Sequence, residues 1–369
     1  MKEKKIKILV VDDSPFARQT ISGMVAEAPH MEVIGTAANG LEAIRFIEHA
    51  LPDIITLDIE MPEMNGFTFL NWLMKNRPLP VLVVSSRTDS QNVFKALDLG
   101  ALEFIGKPTA RASQETQRMK DELINKLEII AKVSPDRIKS RTPLQTEALS
   151  PPPSRKRIES EKGGQDLSRP LNFPKKEGSG RPAIVIIGAS TGGPAALQTL
   201  ISGLPADFPL PVVVVQHMPA HFTESFAQRL NAMGKLKVKE AQEGDILTAG
   251  TVFVAAGGKH LIARKSGNDK VLHLKEVEEK DRYIPSVDMT MKSIAGIYGG
   301  EALGVILTGM GSDGSEGLKE IKEKGGTILA ESEETAVVFG MPRVPIQMGI
   351  VDWVLPIHKM AETIIGVCH

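Results

Sequence analysis

Residues 184–200 read IVIIGASTGGPAALQTL, which is an apolar run, a glycine-rich turn and an amphipathic segment in one stretch. The apolar run is typical of a strand that is covered on both faces in a parallel sheet. Gly192 and Gly193 permit a tight turn, and Pro194 suits the first turn of a helix. The stretch therefore predicts a strand–turn–helix unit of an α/β sheet, with Ser190 exposed where the strand ends.

The same alternation of strand and helix surrounds this unit in the C-terminal half of the chain. The strand candidates are AIVIIGAS, PVVVVQHM, ALGVILTG, GTILAES and DWVLPI, and helical patterns lie between several of them. Short alternating runs between Leu236 and Glu278 predict a small β-rich insertion. We therefore predict a doubly wound, parallel-sheet α/β domain over residues 182–369 that carries this insertion.

Residues 1–130 repeat this organisation in a smaller unit. The strand candidates are KILVVDD, MEVIGTA, DIITLDI, PVLVVSS and EFIGKP, with helical spacing of apolar residues between them. Such a series predicts a doubly wound, flavodoxin-like domain. Residues 131–181 follow, with a proline cluster, a basic triplet and few apolar residues. This composition cannot bury a core, so we predict a flexible interdomain linker there.

The composition is that of a globular chain large enough for two cores, with 369 residues of which 42% are hydrophobic. A formal net charge of -1 gives no general attraction to nucleic acid or to anionic membranes. Cys368 is the only cysteine, so no internal disulfide can form, which fits a reducing compartment. No signal peptide and no membrane-spanning run is found, so we expect a cytoplasmic protein without membrane insertion.

Polar side chains end the strands predicted in the N-terminal domain. Six of them share this position: Asp12 and Asp13 after the first strand, Asp58 after the third, Ser85 and Ser86 after the fourth, and Lys107 after the fifth. Because parallel strands end at one sheet edge, these groups should converge. Clustered carboxylates repel one another unless a hard cation such as Mg²⁺ joins them. One carboxylate could then attack phosphorus while the metal and Lys107 hold the charge.

The position of Lys107 also leads to a prediction about the backbone. Its ammonium must turn back toward the acidic edge directly before Pro108. An X-Pro bond accepts the cis form at a cost of only about 0.5–1 kcal/mol. We therefore predict that the Lys107–Pro108 peptide is cis.

Ser190, His217 and Asp313 are the predicted catalytic residues of the C-terminal domain. A serine hydroxyl is a weak nucleophile and needs a general base. His217 follows the strand in PVVVVQHM, and Asp313 follows ALGVILTG in the turn TGMGSDGSEG. All three thus come after strands, in an arrangement that follows the logic of a serine–histidine–aspartate triad. The helix behind Ser190 would offer free N–H groups to an oxyanion.

Each of these residues also has a simpler interpretation. GASTGGP could bind a dinucleotide, but GxGxxG is absent, and Gln216 and His217 stand where an acid would hold a ribose. His217 could be a core histidine, and Asp313 could only cap the helix GSEGLKEIKEK. The GxSxG turn of α/β-hydrolases is absent as well. The joint placement of the three residues nevertheless favours a triad.

Residues 1 to about 125 resemble a response-regulator receiver domain through VVDDS, LDIEMPEMNG, VVSS and GKP. The resemblance implies phosphorylation by a histidine kinase in the presence of Mg²⁺. It implies the following roles: phosphoacceptor for Asp58, metal carboxylates for Asp13 and in support Asp12, a metal-binding backbone carbonyl for Glu60, and phosphoryl sensing for Ser86 and Lys107. Ser85 stays open as an alternative to Ser86.

Nearly the whole chain resembles the chemotaxis protein-glutamate methylesterase family, whose members also deamidate receptor glutamines. GASTGGP, VVQHMP, PSVD, LTGMGSDG and VVFGMP carry the resemblance. It implies that Ser190 is the nucleophile, His217 the base and Asp313 its partner, with Thr191 and backbone N–H groups near Met310 forming the oxyanion site. The implied substrates are glutamate methyl esters and glutamines of methyl-accepting chemoreceptors. No cofactor is implied for the esterase reaction, and the receiver is expected to restrain it until phosphorylated.

Two other classes of function compete with this one. A phosphorylation-dependent scaffold on a decayed hydrolase fold would not need Ser190, His217 and Asp313 together. A DNA-binding response regulator would need a helix-turn-helix pattern or a basic recognition helix after the linker, and neither is visible. Ester hydrolysis by the purified chain separates the enzyme from both alternatives.

Overall fold

The computed structural model describes residues 5–85, 90–107, 113–133, 138 and 181–368, which form two α/β units. The N-terminal unit has a five-stranded parallel sheet in the order β2-β1-β3-β4-β5. Its strands are β1 (Ile6–Val11), β2 (Met31–Ala37), β3 (Ile54–Leu57), β4 (Val81–Ser85) and β5 (Glu103–Gly106). Its helices are α1 (Pro15–Ala26), α2 (Gly40–His49), α3 (Gly66–Asn76), α4 (Ser90–Asp98) and α5 (Ser113–Ile130). The predicted flavodoxin-like fold is confirmed, because this strand order is the flavodoxin-like one.

Side-chain caps begin three of these helices immediately after the strand ends. Ser14, Asn39 and Asn65 accept hydrogen bonds from the first turns of α1, α2 and α3. The apolar faces of the helices then cover the sheet, as Phe69 and Leu73 of α3 do. Short, capped connections keep the strand-end side chains at one edge of the sheet.

The C-terminal unit has a seven-stranded sheet in the order β14-β13-β12-β6-β7-β9-β8. All of its pairings are parallel. Its strands are β6 (Ile184–Ala189), β7 (Val212–Gln216), β8 (Lys237–Glu240), β9 (Thr251–Val254), β12 (Ala302–Ile306), β13 (Thr327–Glu331) and β14 (Trp353–Leu355). Its helices are α6 (Gly193–Gly203), α7 (Ala220–Met233), α8 (Val287–Tyr298), α9 (Ser315–Glu323), α10 (Arg343–Gln347) and α11 (Ile357–Cys368). The predicted doubly wound parallel sheet is confirmed here too.

Helices cover both faces of this sheet. All six residues of β6 are buried, as expected for a central strand of a parallel sheet. Leu197 of α6 and Phe226 of α7 belong to the core on one face. Ile294 of α8 and Leu318 of α9 belong to the core on the other face. The strand ends that carry the predicted triad are therefore supported from both sides.

The β-rich insertion predicted between Leu236 and Glu278 is divided between two structures. Its first two strands, β8 and β9, extend the parallel sheet beyond β7. The other two, β10 (His260–Ser266) and β11 (Asp269–Lys275), form a separate antiparallel hairpin. Thr251–Val254 is buried throughout, so this short run is a strand of the main sheet rather than part of an inserted one.

Aromatic rings connect the two units. Phe104 of β5 lies against Phe222 of α7, with ring centroids 4.6 Å apart. Phe94 of α4 stacks on Phe226 of α7 at 5.5 Å. Residues from both units consequently share one apolar core. This contact brings α4 and β5 to the helix that follows His217.

Some predictions concern residues outside the described part of the chain. Within the predicted linker over residues 131–181, residues 134–137 and 139–180 lie outside the described part. Ser86 and the Lys107–Pro108 peptide also lie outside it, because the description stops at Ser85 and at Lys107. None of the described helices has the length and apolar character needed to cross a membrane.

Candidate functional site

Ser190 stands directly after β6, in the turn that leads into α6. Its N–H donates to the carbonyl of Thr308 at 3.0 Å, and its carbonyl accepts from the N–H of Gly193 at 2.7 Å. Gly192 has a φ of 77°, in the left-handed region that favours glycine. A Cβ on Gly193 would lie 2.0 Å from the amide oxygen of Gln216. The turn thus requires both glycines, and it fixes Ser190 at the N-terminus of α6.

The sheet reverses its winding direction beside β6. This strand pairs with β7 on one side and with β12 on the other. In open α/β sheets, ligands bind outside the carboxyl ends of the strands at such a switch point. Ser190 follows β6, His217 follows β7, and Asp313 lies in the turn after β12. The structure therefore brings the three predicted triad residues to one edge, at the place where this fold binds ligands.

His217 and Asp313 form a hydrogen-bonded pair. The distance from His217 Nε2 to Asp313 Oδ2 is 2.8 Å, and the two side chains are 14% and 2% exposed. The N–H of His217 also donates to the carbonyl of Ala189 at 3.1 Å, beside the Ser190 turn. Because Nε2 faces the acid, Nδ1 is the nitrogen that can accept a proton. Within the described residues, Ser190 Oγ makes no direct hydrogen bond to the ring, and such bonds often tighten only with substrate.

Asp313 lies at the N-terminus of α8, where free N–H groups stabilise a negative charge. Val287 N–H donates to its Oδ2 at 2.7 Å, and Asp288 N–H to its Oδ1 at 3.0 Å. Ser286 Oγ donates to Oδ1 at 3.2 Å. Burial alone would raise the pKa of Asp313, but the hydrogen bonds from His217, Asp288 and Val287 hold this pKa below its ordinary value. The carboxylate is therefore ready to stabilise a protonated imidazole.

The alternative that Asp313 caps the helix after it is wrong. The N-terminus of α9 is bonded instead by Asp288, whose Oδ1 accepts from Gly314 N–H at 2.9 Å and from Gly317 N–H at 2.7 Å. Burial raises the pKa of this carboxyl. Each of the two acids therefore binds the start of the other's helix: Asp313 binds the start of α8, and Asp288 binds the start of α9. These reciprocal hydrogen bonds hold the turn that carries Asp313 in place.

Sequence reasoning assigned no role to four residues near the triad. Gln216 Nε2 donates to the carbonyls of Ser190 at 2.9 Å and His217 at 3.0 Å, and so joins the two turns. The ring of Tyr283 stacks on the imidazole of His217, with centroids 5.1 Å apart and planes 7° apart. Ser286 and Asp288 belong to the quoted motif PSVD, which was a signal without an assigned role. Gln216 belongs to the quoted motif VVQHMP in the same way, whereas Tyr283 had no comparable signal.

The predicted oxyanion residues lie in two turns, Thr191 directly after Ser190 and Met310 in the turn after β12. Thr191 is buried, and its side chain lies close enough to Glu103 at the start of β5 to lower the pKa of that carboxyl. This side chain therefore lies beside the N-terminal unit, and the backbone N–H of Thr191 is its candidate group for an oxyanion. Met310 is 38% exposed in the turn after β12. A Cβ on the neighbouring Gly309 would lie 2.8 Å from the Cβ of Ser190, so this turn closely approaches the nucleophile.

The acidic edge predicted in the N-terminal unit also assembles. Asp12, Asp13 and Asp58 each offer a carboxylate oxygen, and these oxygens lie within 4.8 Å of one another. Lys107 Nζ is 2.6 Å from Asp58 Oδ2 and 3.2 Å from Asp12 Oδ2. Burial raises the pKa of Asp58 to about 6, with the Lys107 hydrogen bond acting in the opposite direction and the Asp12 charge adding to the rise. Three clustered carboxylates are a donor set that fits Mg²⁺.

Two other predicted residues border this edge. Glu60 is exposed, and its N–H lies 3.4 Å from Asp58 Oδ1. A metal-binding role for its carbonyl stays a prediction. Ser85 ends β4 and is buried. The choice between Ser85 and Ser86 for phosphoryl sensing stays open, because Ser86 is outside the described residues.

Comparison with known proteins matches both halves of the chain. The family pattern described as CheB methylesterase matches residues 185–364, and that of the response regulator receiver domain matches residues 8–117. A Geobacter sulfurreducens protein named protein-glutamate methylesterase/protein-glutamine glutaminase 3 is 42% identical over 99% of this chain and 98% of its own. A similarly named Geobacillus kaustophilus protein is 43% identical over 98% of both chains. The crystal structure of the Thermotoga maritima CheB methylesterase catalytic domain is 44% identical. It covers 50% of this chain and 98% of its own, with a TM-score of 0.49.

Proposed function

The chain belongs to the protein-glutamate methylesterase/protein-glutamine glutaminase family, and we propose that Ser190, His217 and Asp313 carry out its hydrolysis. The substrates are glutamate methyl esters and glutamines on chemoreceptors. The observation that supports the triad best is that Ser190 and the His217–Asp313 pair meet at the switch point of the sheet. Methanol release from methylated chemoreceptor membranes tests the proposal, and no release by the folded protein would contradict it.

The reaction proceeds through an acyl-enzyme. Ser190 Oγ attacks the side-chain ester carbonyl while His217 Nδ1 takes the hydroxyl proton. The resulting oxyanion accepts hydrogen bonds from backbone N–H groups at Thr191 and near Met310. The imidazolium then gives its proton to the departing methoxide, which leaves as methanol. Water attacks the acyl-enzyme with His217 again as base, and glutamate and free Ser190 are regenerated.

A glutamine substrate follows the same course with ammonia as the leaving group. Asp313 stabilises the imidazolium in both reactions, since its carboxylate is bonded to Nε2 and held ionised by its surroundings. Gln216 keeps the serine and histidine turns in register. All of these steps use groups of the C-terminal unit.

Phosphorylation of Asp58 is the proposed control. Asp12, Asp13, Asp58 and the carbonyl of Glu60 would hold Mg²⁺, which supplies charge neutralisation when a histidine kinase donates the phosphoryl group. Lys107, together with Ser86 or Ser85, would bind the phosphoryl oxygens. We take residues 1–130 as the receiver domain, 131–181 as the linker and 182–369 as the catalytic domain.

Contacts between the units support a restraining receiver. Glu103 is buried, and burial raises the pKa of its carboxyl against the opposing charge of Lys126. The side chain of Thr191, the residue after the nucleophile, lies close enough to this carboxyl to lower its pKa. The ring of Phe104 covers Phe222 next to it. A receiver docked in this way touches the turn that must receive the substrate.

Removal of residues 1 to about 145 is therefore expected to raise methylesterase activity. The catalytic sheet and all three triad residues lie after the linker, so this part should fold alone. We expect an increase of about fivefold or more over the unphosphorylated full chain, the lower range of allosteric coupling. Methanol release by the full chain, Asp58→Asn and the truncated chain measures it. Asp58→Asn should keep the basal rate without phosphate stimulation, and a folded but slower truncated chain would contradict restraint.

The ion pair between Asp98 of α4 and Arg229 of α7 gives a finer test of the same contact. Asp98→Arg places two cations opposite each other and should raise the basal rate about twofold to fivefold, since an exposed pair contributes at most about 1 kcal/mol. The exchanged pair, Asp98→Arg with Arg229→Asp, should restore the basal rate of the native chain. Equal rates for all three proteins would show that this contact does not restrain the enzyme.

A further inference from the structure

We propose that His260 is a positioning residue of the active site, which holds the strap of residues 281–286 against His217 and Asp313. The inference rests on the proposed triad and adds a residue that lies outside it. His260 is the first residue of β10 and is completely buried. A buried histidine is often only a satisfied member of a core. Here both ring nitrogens bind the same short segment. This segment contacts both His217, the proposed general base, and Asp313, its hydrogen-bond partner.

His260 anchors the two ends of the strap. Its Nε2 lies 2.9 Å from Asp281 Oδ2 at the first residue of the segment. Its Nδ1 accepts the backbone N–H of Ser286 at 3.1 Å at the last residue. A nitrogen that accepts a hydrogen bond carries no proton, so the proton is on Nε2 and is donated to Asp281. One neutral imidazole with a defined tautomer thus closes the strap into a loop.

The strap in turn contacts the triad from two sides. Near its middle, Tyr283 stacks on His217, with ring centroids 5.1 Å apart and planes 7° apart. At its end, Ser286 Oγ donates to Asp313 Oδ1 at 3.2 Å. The Tyr283 hydroxyl also approaches the turn before Asp313, since a Cβ on Gly311 would lie 2.6 Å from it. Movement of the strap would therefore shift the imidazole and the carboxylate relative to each other.

Strand β10, which carries His260, is hydrogen-bonded to α8. Thr290 Oγ1 of α8 donates to the carbonyl of Leu261 at 2.7 Å. The N–H of Ala263 donates to Ser293 Oγ at 2.9 Å. The hairpin strand β10 and helix α8 thus move as one body, and α8 carries the N–H groups that bind Asp313. Ser286 is the N-cap of α8, because its Oγ accepts from the Met289 N–H at 3.3 Å. Loss of the His260 ring would therefore release Asp281 and Tyr283, while Ser286 keeps its bonds to α8 and the sheet stays intact.

The test compares turnover and substrate affinity in the full chain. His260→Leu removes both ring bonds, and we expect kcat for methanol release to fall about 10- to 100-fold with KM changed less than about twofold, because small misplacements of a base cost rate. His260→Asn keeps an oxygen that can accept the Ser286 N–H and should recover part of kcat. Asp281→Ala removes one anchor at a side chain that is 8% exposed and should also lower kcat.

The matched control is His273→Asn on the adjacent strand β11. His273 also pairs with a carboxylate, with Nδ1 2.5 Å from Glu243 Oε1, but its side chain is 30% exposed. We expect native kcat and KM for this variant. A His260→Leu protein with native kcat, or with a kcat loss that only matches a loss of folded protein, would overturn the proposal. If His260→Leu does not fold, a native kcat in Asp281→Ala would overturn it.

Ser190→Ala separates this inference from the proposed function. If Ser190→Ala is inactive while the His260 and Asp281 variants keep native kcat, only the role of His260 fails. If folded Ser190→Ala releases methanol, the triad fails, and the positioning role fails with it.

Discussion

Ser190→Ala is expected to abolish methanol release and glutamine deamidation while the protein stays folded. Removal of the nucleophile from a serine triad costs about 10⁶-fold in kcat in a protease. The bonds that shape the turn use the backbone of Ser190, namely its N–H to Thr308 and its carbonyl from Gly193 and Gln216. Alanine preserves all of them. The loss should therefore be chemical and not structural.

The measurement is methanol release from methylated chemoreceptor membranes, with melting temperature and near-UV circular dichroism as checks of folding. Ser266→Ala is a matched control, because Ser266 is an exposed serine at the end of β10. This variant should be fully active. Substantial turnover by a folded Ser190→Ala protein would mean that another group attacks the ester.

Asp313→Asn is expected to lower kcat by about 10⁴-fold, the size of the corresponding loss in a serine protease, with a much smaller change in KM. Both carboxylate oxygens are in use: Oδ2 binds His217 and Val287, and Oδ1 binds Asp288 and Ser286. An asparagine has only one oxygen, so its NH₂ must face donors on one side. If it faces Nε2, that nitrogen must accept, the ring proton moves to Nδ1, and Nδ1 can no longer take the serine proton.

Asp288→Asn is the matched comparison for this variant. Asp288 uses a single oxygen, Oδ1, to bind Gly314 and Gly317, and an amide oxygen can serve equally well. Its carboxyl also has a pKa raised by burial, so loss of the charge should be tolerated. We expect this variant to lose far less activity than Asp313→Asn. Similar losses in both would indicate that helix packing, not the state of His217, depends on these acids.

The strands were predictable because burial on both faces leaves a strong signal. IVIIGA and ALGVI are apolar throughout, VVVVQ is apolar up to its last residue, and each is a strand of the C-terminal sheet. The order of those strands was not readable, since pairing joins residues far apart in the chain. The run Thr251–Val254 shows this, because its pattern fitted an insertion while its pairing with β7 places it in the main sheet.

The triad candidates were predictable for a related reason. Ser190, His217 and Asp313 each follow an obvious strand, and strand ends of a parallel sheet meet at one edge. What surrounds them depends on tertiary contacts that leave no local pattern. The stacking of Tyr283 on His217 is one example, and the use of Nε2 for Asp313 is another, since a ring rotation decides it.

The position of Thr191 between Ser190 and Glu103 has a thermodynamic consequence. In the proposed enzyme, the chemoreceptor substrate and the docked receiver domain compete for the turn that carries Ser190 and Thr191. Occupation of the cleft then displaces the receiver, and the displaced receiver is the form that phosphate favours. Binding free energies are reciprocal, so substrate and phosphate should act as heterotropic activators of each other. Saturating receptor should therefore shift the phosphorylation equilibrium of Asp58 by the same factor by which phosphate improves receptor affinity.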